Sequence, residues 1–321
     1  MSLARESPDR HHAICVLLAR GTTTIRGATT SNTIALGRDV FVGLNTRTGG
    51  LVYDSRFLPE SLGTPRSSSL FVLLEGRFRF SSLAGSSSER SFEGPIAIAF
   101  ADDAPGVSPE TRLVRRADGS PYVGIEIHVQ NEPGKTPAHE PRALDVGAEA
   151  FEHARAMAEH ASDDDRFHEA TVALLESLLR AGVIAREGFS YDDDPRFARL
   201  WQAIRPMVER MYTSPTLQEV GVEIGLSERQ LERDIEAFLE RTPGLGDGWR
   251  DATRRLRLRL ALLLSSAPGV TIAEVARRVG YSNATAMRRA FQEAGLAAPS
   301  EIQRTLRGEA GLRGLRGTIA S

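Results

Sequence analysis

Two stretches near the C-terminal end of this 321-residue chain carry one pattern. The first runs Leu217-Gln-Glu-Val-Gly221-Val-Glu-Ile224-Gly225-Leu226-Ser227. The second runs Ile272-Ala-Glu-Val-Ala276-Arg-Arg-Val279-Gly280-Tyr281-Ser282. In both, apolar residues recur at i, i+3 and i+7, a small residue stands at i+4, and a glycine follows. This period predicts one amphipathic helix closed by a glycine stop. A cap residue and a second short helix come next, Leu231-x-Arg233-x-Ile235 in one case and Met287-x-Arg289-x-Phe291 in the other. The repeat therefore predicts two helix-turn-helix units, each with an arginine at the same phase of its second helix. Such an arrangement suits a chain that lays two helices into DNA.

The motif makes physical demands that these residues meet. Two helices cross tightly, so a small residue must stand at their approach, and Gly221 and Ala276 do so. Glycine inside a helix costs roughly 1 kcal/mol against alanine, so Gly221 points to close packing. Gly225 and Gly280 supply the positive φ of the turn. Leu226 and Tyr281 follow and are expected to fill the space beneath it. Ser227 and Asn283 are suitable N-caps, with one extra residue in the second turn.

In the first unit Leu231, Ile235 and Phe238 face the core, which turns Arg229, Glu232 and Arg233 outward. In the second, Met287, Ala290 and Phe291 face inward, leaving Asn283, Ala284, Thr285, Arg288 and Arg289 as candidate DNA contacts. Arginine can bond guanine bidentately, and threonine can meet a thymine methyl. Glu232 and Asp234 set the first unit apart: they weaken phosphate contact, or Glu232 reads a cytosine. Between the units lies Arg254-Arg-Leu-Arg-Leu-Arg-Leu-Ala-Leu-Leu-Leu264. Its alternation resembles a strand, but its length and flanks favour a helix, with Leu256, Leu260, Leu263 and Leu264 touching both units. Its arginines are either phosphate contacts or a solvated face.

Charge supports this division. Net charge is −2, yet residues 196–307 hold 18 arginines and 13 acidic residues, an excess in the direction that suits a polyanionic partner. Lys135 is the only lysine, so heavy arginine use reflects a GC-rich genome rather than function. The single cysteine, Cys15, rules out an intrachain disulfide framework and suits a reducing cytoplasm. No apolar run reaches membrane-span length, and Met1–His12 lacks the apolar core of a signal peptide. The expected location is cytoplasmic, without a membrane partner.

Residues 13–130 read as β. Apolar runs at Ala13–Ala19, Val40–Leu44, Leu70–Leu74, Ile96–Phe100 and Tyr122–Val129 are separated by turn signals, among them Thr48-Gly-Gly50, Glu75-Gly76 and Ala117-Asp-Gly-Ser120. Short strands at this spacing predict a barrel or sandwich. Ser67–Ser69 and Ser86–Ser88 read as exposed turns. Helices are expected at Ala148–His160 and Arg166–Ala185, split by Ser162-Asp-Asp-Asp165. The stripe Phe167, Val172, Leu175, Leu178 and Leu179 either packs on the barrel or forms a dimer contact.

The second unit, with Gly295, Pro299 and Arg304 after it, resembles the AraC/XylS family of bacterial transcription regulators. The likeness covers about Arg196 to Arg307, and Arg255-Leu256 and Ala261-Leu-Leu resemble that family's linker helix. It departs at Gly221, where the family usually has alanine, and at Ile235 and Met287, where it has phenylalanine. The spacing Gly295-Leu-Ala-Ala-Pro299 is one residue longer than usual, and Gly244-Leu-Gly-Asp-Gly-Trp249 lacks the proline.

The resemblance implies an α+β chain with a cupin-like β-barrel and helices at 1–189 for sensing or dimerisation. A linker at 190–195, an all-α DNA-binding domain with two helix-turn-helix units at 196–308 and a flexible tail at 309–321 follow. It also implies a regulator, activator rather than repressor, with double-stranded DNA, RNA polymerase, a small-molecule effector and a second copy of the chain as partners.

The alternative is a cupin-like enzyme or sugar-binding protein with a helical accessory domain. A metal-binding cupin needs a spaced histidine and glutamate set, whereas the β region offers only His128 with Glu126 on one strand. No phosphate loop or nucleophile elbow is present. The expectation is therefore no enzyme, no cofactor and no metal, with His128 held by a local partner.

Overall fold

The computed structural model describes residues 17–37, 40–57, 67–82, 89–101, 113–130, 140–184, 200–202, 205, 209, 216–240 and 248–317. The expected linker at 190–195, residues 13–16 of the first apolar run and Ser86–Ser88 lie outside them.

The front part is two antiparallel sheets. Strands β1 (Leu17–Ile25), β2 (Ala28–Gly37), β3 (Val40–Thr48), β5 (Ser67–Glu75), β8 (Ile96–Ala101), β10 (Tyr122–Gln130) and β11 (Arg142–Leu144) form the larger, in the order β1-β2-β3-β10-β5-β8-β11. Strands β4 (Val52–Asp54), β6 (Arg77–Ser82), β7 (Arg90–Glu93) and β9 (Leu113–Asp118) form the smaller, in the order β4-β9-β6-β7. The α+β class and the β-rich front match expectation, but the two sheets are not joined into one closed barrel. Ser67–Ser69, expected as an exposed turn, starts β5. Ser69 is buried because its hydroxyl meets His128 Nδ1 at 2.9 Å.

Alternation of side chains decides which face of the large sheet meets what. Val42, Leu44, Val72, Ile125 and Ile127 share one face, covered by α1 (Gly147–Glu159) and α2 (Asp164–Arg180) through Ala150, Ala154, Met157, Phe167, Leu174 and Leu178. Asp163 caps α2 by accepting from the Arg166 amide at 3.2 Å, which is why the acidic run interrupts the helices. Phe167, Leu175 and Leu178 of the α2 stripe are thus buried against the sheet, with Val172 and Leu179 partly buried beside them.

The opposite face is divided. Phe71, Leu73, Ile98, Phe100 and Tyr122 meet Phe78, Phe80 and Ala117 of the small sheet. The part of that face on β1, β2 and β3 packs instead on the C-terminal half. Ala19, Ile34, Leu36 and Phe41 join one core with Leu200, Trp201, Leu231, Ile235 and Phe238, while Ile25, Ala28 and Leu51 join another with Leu264, Val275, Phe291 and Ile302.

The C-terminal half is helical: α3 (Leu217–Ile224), α4 (Glu228–Glu240), α5 (Trp249–Ser265), α6 (Ile272–Arg278), α7 (Ala284–Glu293) and α8 (Pro299–Gly317). Helix α8 runs into the stretch expected as a flexible tail. Its Gln303 and Arg307 donate to the carbonyls of Ser265, Ala267 and Val270, securing the turn after α5. Among the described residues, no helix is long and apolar enough to cross a membrane.

Candidate nucleic-acid interface and interdomain cavity

The two units are built alike. Thr216 and Thr271 each cap a first helix by accepting from the backbone amide three residues on, and Glu219 and Glu274 reach back to complete both capping boxes. After each glycine the chain makes the same bond: Leu226 N donates to Gly221 O and Tyr281 N to Ala276 O, both at 2.9 Å. Gly225 and Gly280 sit at φ of 71° and 82°. At Gly221 an added Cβ would lie 2.7 Å from the Leu226 carbonyl oxygen, which explains the departure from alanine there. Ser227 and Asn283 cap α4 and α7 as expected, accepting from the amides of Gln230 and Ala286.

Burial sorts the second helices cleanly. Leu231, Ile235 and Phe238 on α4, and Met287, Ala290 and Phe291 on α7, are buried. Arg229, Glu232, Arg233, Asn283, Thr285, Arg288 and Arg289 are exposed, and Ala284 is half-buried. Arg233 lies 3.9 Å from Asp234 and its side chain stays exposed. Arg288 and Arg289 have no ion-pair partner among the described residues.

Helix α5 is indeed a helix and serves both units: Ala252 and Leu256 join the core of the first, and Leu258, Leu262 and Leu264 the core of the second. Its arginines are engaged within the protein. Arg254 and Arg255 pair with Asp251, Arg257 lies over the Tyr281 ring, and Arg259 approaches Glu126 at 3.7 Å.

Between the sheet and α5 is a cavity of about 90 Å³, which sequence reasoning missed. Its floor follows from strand register. Thr30, Asn32 and Ile34 of β2 stand opposite Arg47, Asn45 and Gly43 of β3, and these in turn face Tyr122, Gly124 and Glu126 of β10. Leu256, Arg259, Leu260 and Leu263 of α5 form the roof, with Tyr53 and Phe41 at the sides. The signal in the sequence is the polar alternation Phe41-x-Gly43-x-Asn45-x-Arg47 at the end of an apolar strand, and it acquires meaning only once the partner strands are known.

Two groups dominate the cavity's electrostatics. Burial alone would raise the Glu126 pKa, but His128, Arg115 and Arg259 outweigh it and hold this carboxyl well below its ordinary value. Arg115 donates to it at 2.8 Å and His128 Nε2 lies 3.1 Å away. His128 thus has the local partners expected of it. Arg47 is 9% exposed, and its guanidinium lies 4.8 and 4.9 Å from the centres of the Tyr53 and Tyr122 rings. Among the described residues its Nε and Nη1, both without accessible surface, have no hydrogen-bond partner, nor has the buried Thr30 hydroxyl opposite it. Burial raises the Tyr122 pKa above its ordinary value, so this phenol stays neutral and supplies no counter-charge.

A family model described as a helix-turn-helix domain matches residues 221–305. This segment is a helix-turn-helix domain. The match spans the turn of the first unit, all of α5 and the whole second unit. No curated protein matches the sequence. Similar solved structures include ToxT from Vibrio cholerae, 11% identical over 84% of this chain and 99% of that one, with a TM-score of 0.36. ToxT from the same organism with an unsaturated fatty acid bound is 9% identical over 94% and 99%, with a TM-score of 0.35. Oxalate decarboxylase from Bacillus subtilis is 13% identical over 39% of this chain and 32% of that one, with a TM-score of 0.20.

Proposed function

We propose that the chain is a sequence-specific, DNA-binding transcription regulator of the AraC/XylS type, not an enzyme, acting in the cytoplasm and modulated by a small molecule held in its front half. The observation that carries this reading is the paired construction of the two units. Same-phase turn bonds, capping boxes and buried faces present two second helices whose exposed sides carry Arg229, Glu232 and Arg233, and Asn283, Thr285, Arg288 and Arg289. Two helices of this kind suit adjacent major-groove segments. On this reading Arg289 and Arg288 read bases or phosphates, and the helix starts offer amides to phosphates.

The cavity between sheet and α5 supports the effector part. A pocket roofed by the helix that carries both units is well placed to pass ligand binding to the DNA-contacting surface. Dimerisation and contact with RNA polymerase complete the reading, and so does the choice of activator over repressor. Footprinting the purified chain on the region upstream of its own and adjacent genes tests it. A protected site at moderate salt, spanning two neighbouring major-groove segments, is expected. Absence of protection on every such region would sink the regulator reading.

A further inference from the structure

We propose that the front half itself takes part in DNA binding: Arg26 on the β1–β2 turn, with Arg277 and Arg278 of α6, forms a cationic cleft that holds the sugar–phosphate backbone beside the segment read by α7. This rests on the regulator reading for its partner and adds a contact from outside the helical half. The two can fail separately.

An open cleft of about 780 Å³ lies where the turn meets α6, lined by Thr24, Ile25, Arg26, Glu274, Arg277 and Arg278. Its charges are three arginines against one glutamate. That glutamate is fully committed. Glu274 Oε2 accepts from the Thr271 amide and hydroxyl, both at 2.8 Å, and Oε1 accepts from Arg26 Nε at 2.9 Å and from Nη2. Arg26 keeps donors in hand. Its Nη1 has no partner among the described residues, and its side chain is 55% exposed against 25% for Glu274. Arg277 and Arg278 are exposed and have no carboxylate partner among the described residues. A planar guanidinium can thus hold Glu274 along one edge and a phosphate oxygen at another.

Position and shape name the occupant. Helix α6 is the first helix of the second unit. In a helix-turn-helix the first helix crosses the DNA backbone while the second lies in the groove. The exposed arginines of α6 therefore extend the charged surface that Arg288 and Arg289 begin on α7. The cleft is open, with room for a length of backbone rather than a single ion. The turn carries an independent sign. Arg26 is the one non-glycine residue at positive φ among the described residues, at 50°. That conformation favours asparagine or glycine, so an arginine there costs conformational energy. An exposed ion pair with Glu274 is too weak to offset this alone, and a phosphate contact adds to it.

The test uses the purified full-length chain and a random-sequence duplex of about 30 base pairs, with affinity read by fluorescence anisotropy from about 50 to about 200 mM salt. A phosphate contact carries no base preference, so no operator is needed. Arg26→Asn keeps the turn and should weaken binding about three- to tenfold. The slope of log affinity against log salt should fall by about 0.9. Arg277→Gln and Arg278→Gln should each act alike. Glu274→Gln discriminates. Glutamine can still close the capping box, while the cleft loses its one acidic group, so DNA binding should hold or strengthen. An unchanged slope in Arg26→Asn overturns this inference and leaves the regulator reading standing. So does a Glu274→Gln chain weakened by the same factor as Arg26→Asn, which makes the pair a latch between the halves and nothing more. An unaltered chain that binds no duplex at about 50 mM salt overturns the regulator reading, and this inference with it.

Discussion

Arg289 is exposed on α7, one position beyond Arg288 and two beyond the buried Met287. Arg289→Ala should weaken specific DNA binding by about 1–3 kcal/mol and relax one base position. Binding measured across an operator library checks this, and equal loss on all sequences would make Arg289 a phosphate contact. Arg233→Ala should behave alike only if the first unit reads bases. Gly221 offers a test of packing. Alanine there gains roughly 1 kcal/mol in helix propensity, but its Cβ would lie 2.7 Å from the Leu226 carbonyl oxygen. Backbone cannot yield as a side chain does, so Gly221→Ala should destabilise the chain by up to about 2 kcal/mol, read by urea denaturation. Gly221 was legible in the sequence because a helix crossing leaves a local mark. Arg47 was not, because its meaning comes from Thr30 and Tyr122, which strand pairing brings to its side.

At the scale of elements, local signals were read well and long-range ones poorly. The turns at Gly225 and Gly280 and the caps at Ser227 and Asn283 follow from neighbours in sequence. Strand β2 and the whole small sheet escaped notice, because their polar, threonine- and arginine-rich segments gain a face only by pairing. Helix α5 lies between these cases: its Arg-Leu alternation mimics a strand, yet its leucines reach two cores that only a helix can bridge. The capping boxes give a direct prediction. Thr271→Ala should cost about 1 kcal/mol in urea unfolding. The same box predicts acid behaviour. Bonds from the Thr271 backbone and hydroxyl, and then from Arg26, hold the Glu274 carboxyl at about 2. Its contribution is complete above the ordinary carboxylate range and is lost as pH falls toward about 2. A carbon-detected titration of Glu274 should therefore show a midpoint well below about 4.3; an ordinary midpoint would mean that the box and the Arg26 bridge are open in solution.

For the whole molecule, the question is what binds the front half to the back. Arg26 and Gly27 form the two-residue turn between β1 and β2, both at positive φ, 50° and 78°. That conformation suits Asn-Gly, and Arg26 holds it while bonding Glu274. Arg26→Asn should keep the turn, remove the bridge and change stability by less than about 1 kcal/mol, because the pair is partly exposed. Ala28, two residues on, is fully buried in the core shared with the second unit. Ala28→Asp should cost about 3 kcal/mol or more by burying an unpaired charge. Calorimetry on both variants compares the ionic and the apolar parts of the junction; a larger loss in Arg26→Asn would reverse their order. The domain division was legible, but the extent of shared core was not, since no local pattern marks a sheet face that meets a distant helix.

The shared face of β1, β2 and β3 has a consequence for how chains of this kind recombine. Ile34 and Phe41 belong at once to the cavity and to the core of the first unit, and Leu260 and Leu263 of α5 to the cavity and to the core of the second. A front half transplanted onto a foreign DNA-binding half would leave those side chains facing strangers. The segment that must travel together in a working chimera is therefore the sheet face with α5, and a crossover placed between the domains separates the two.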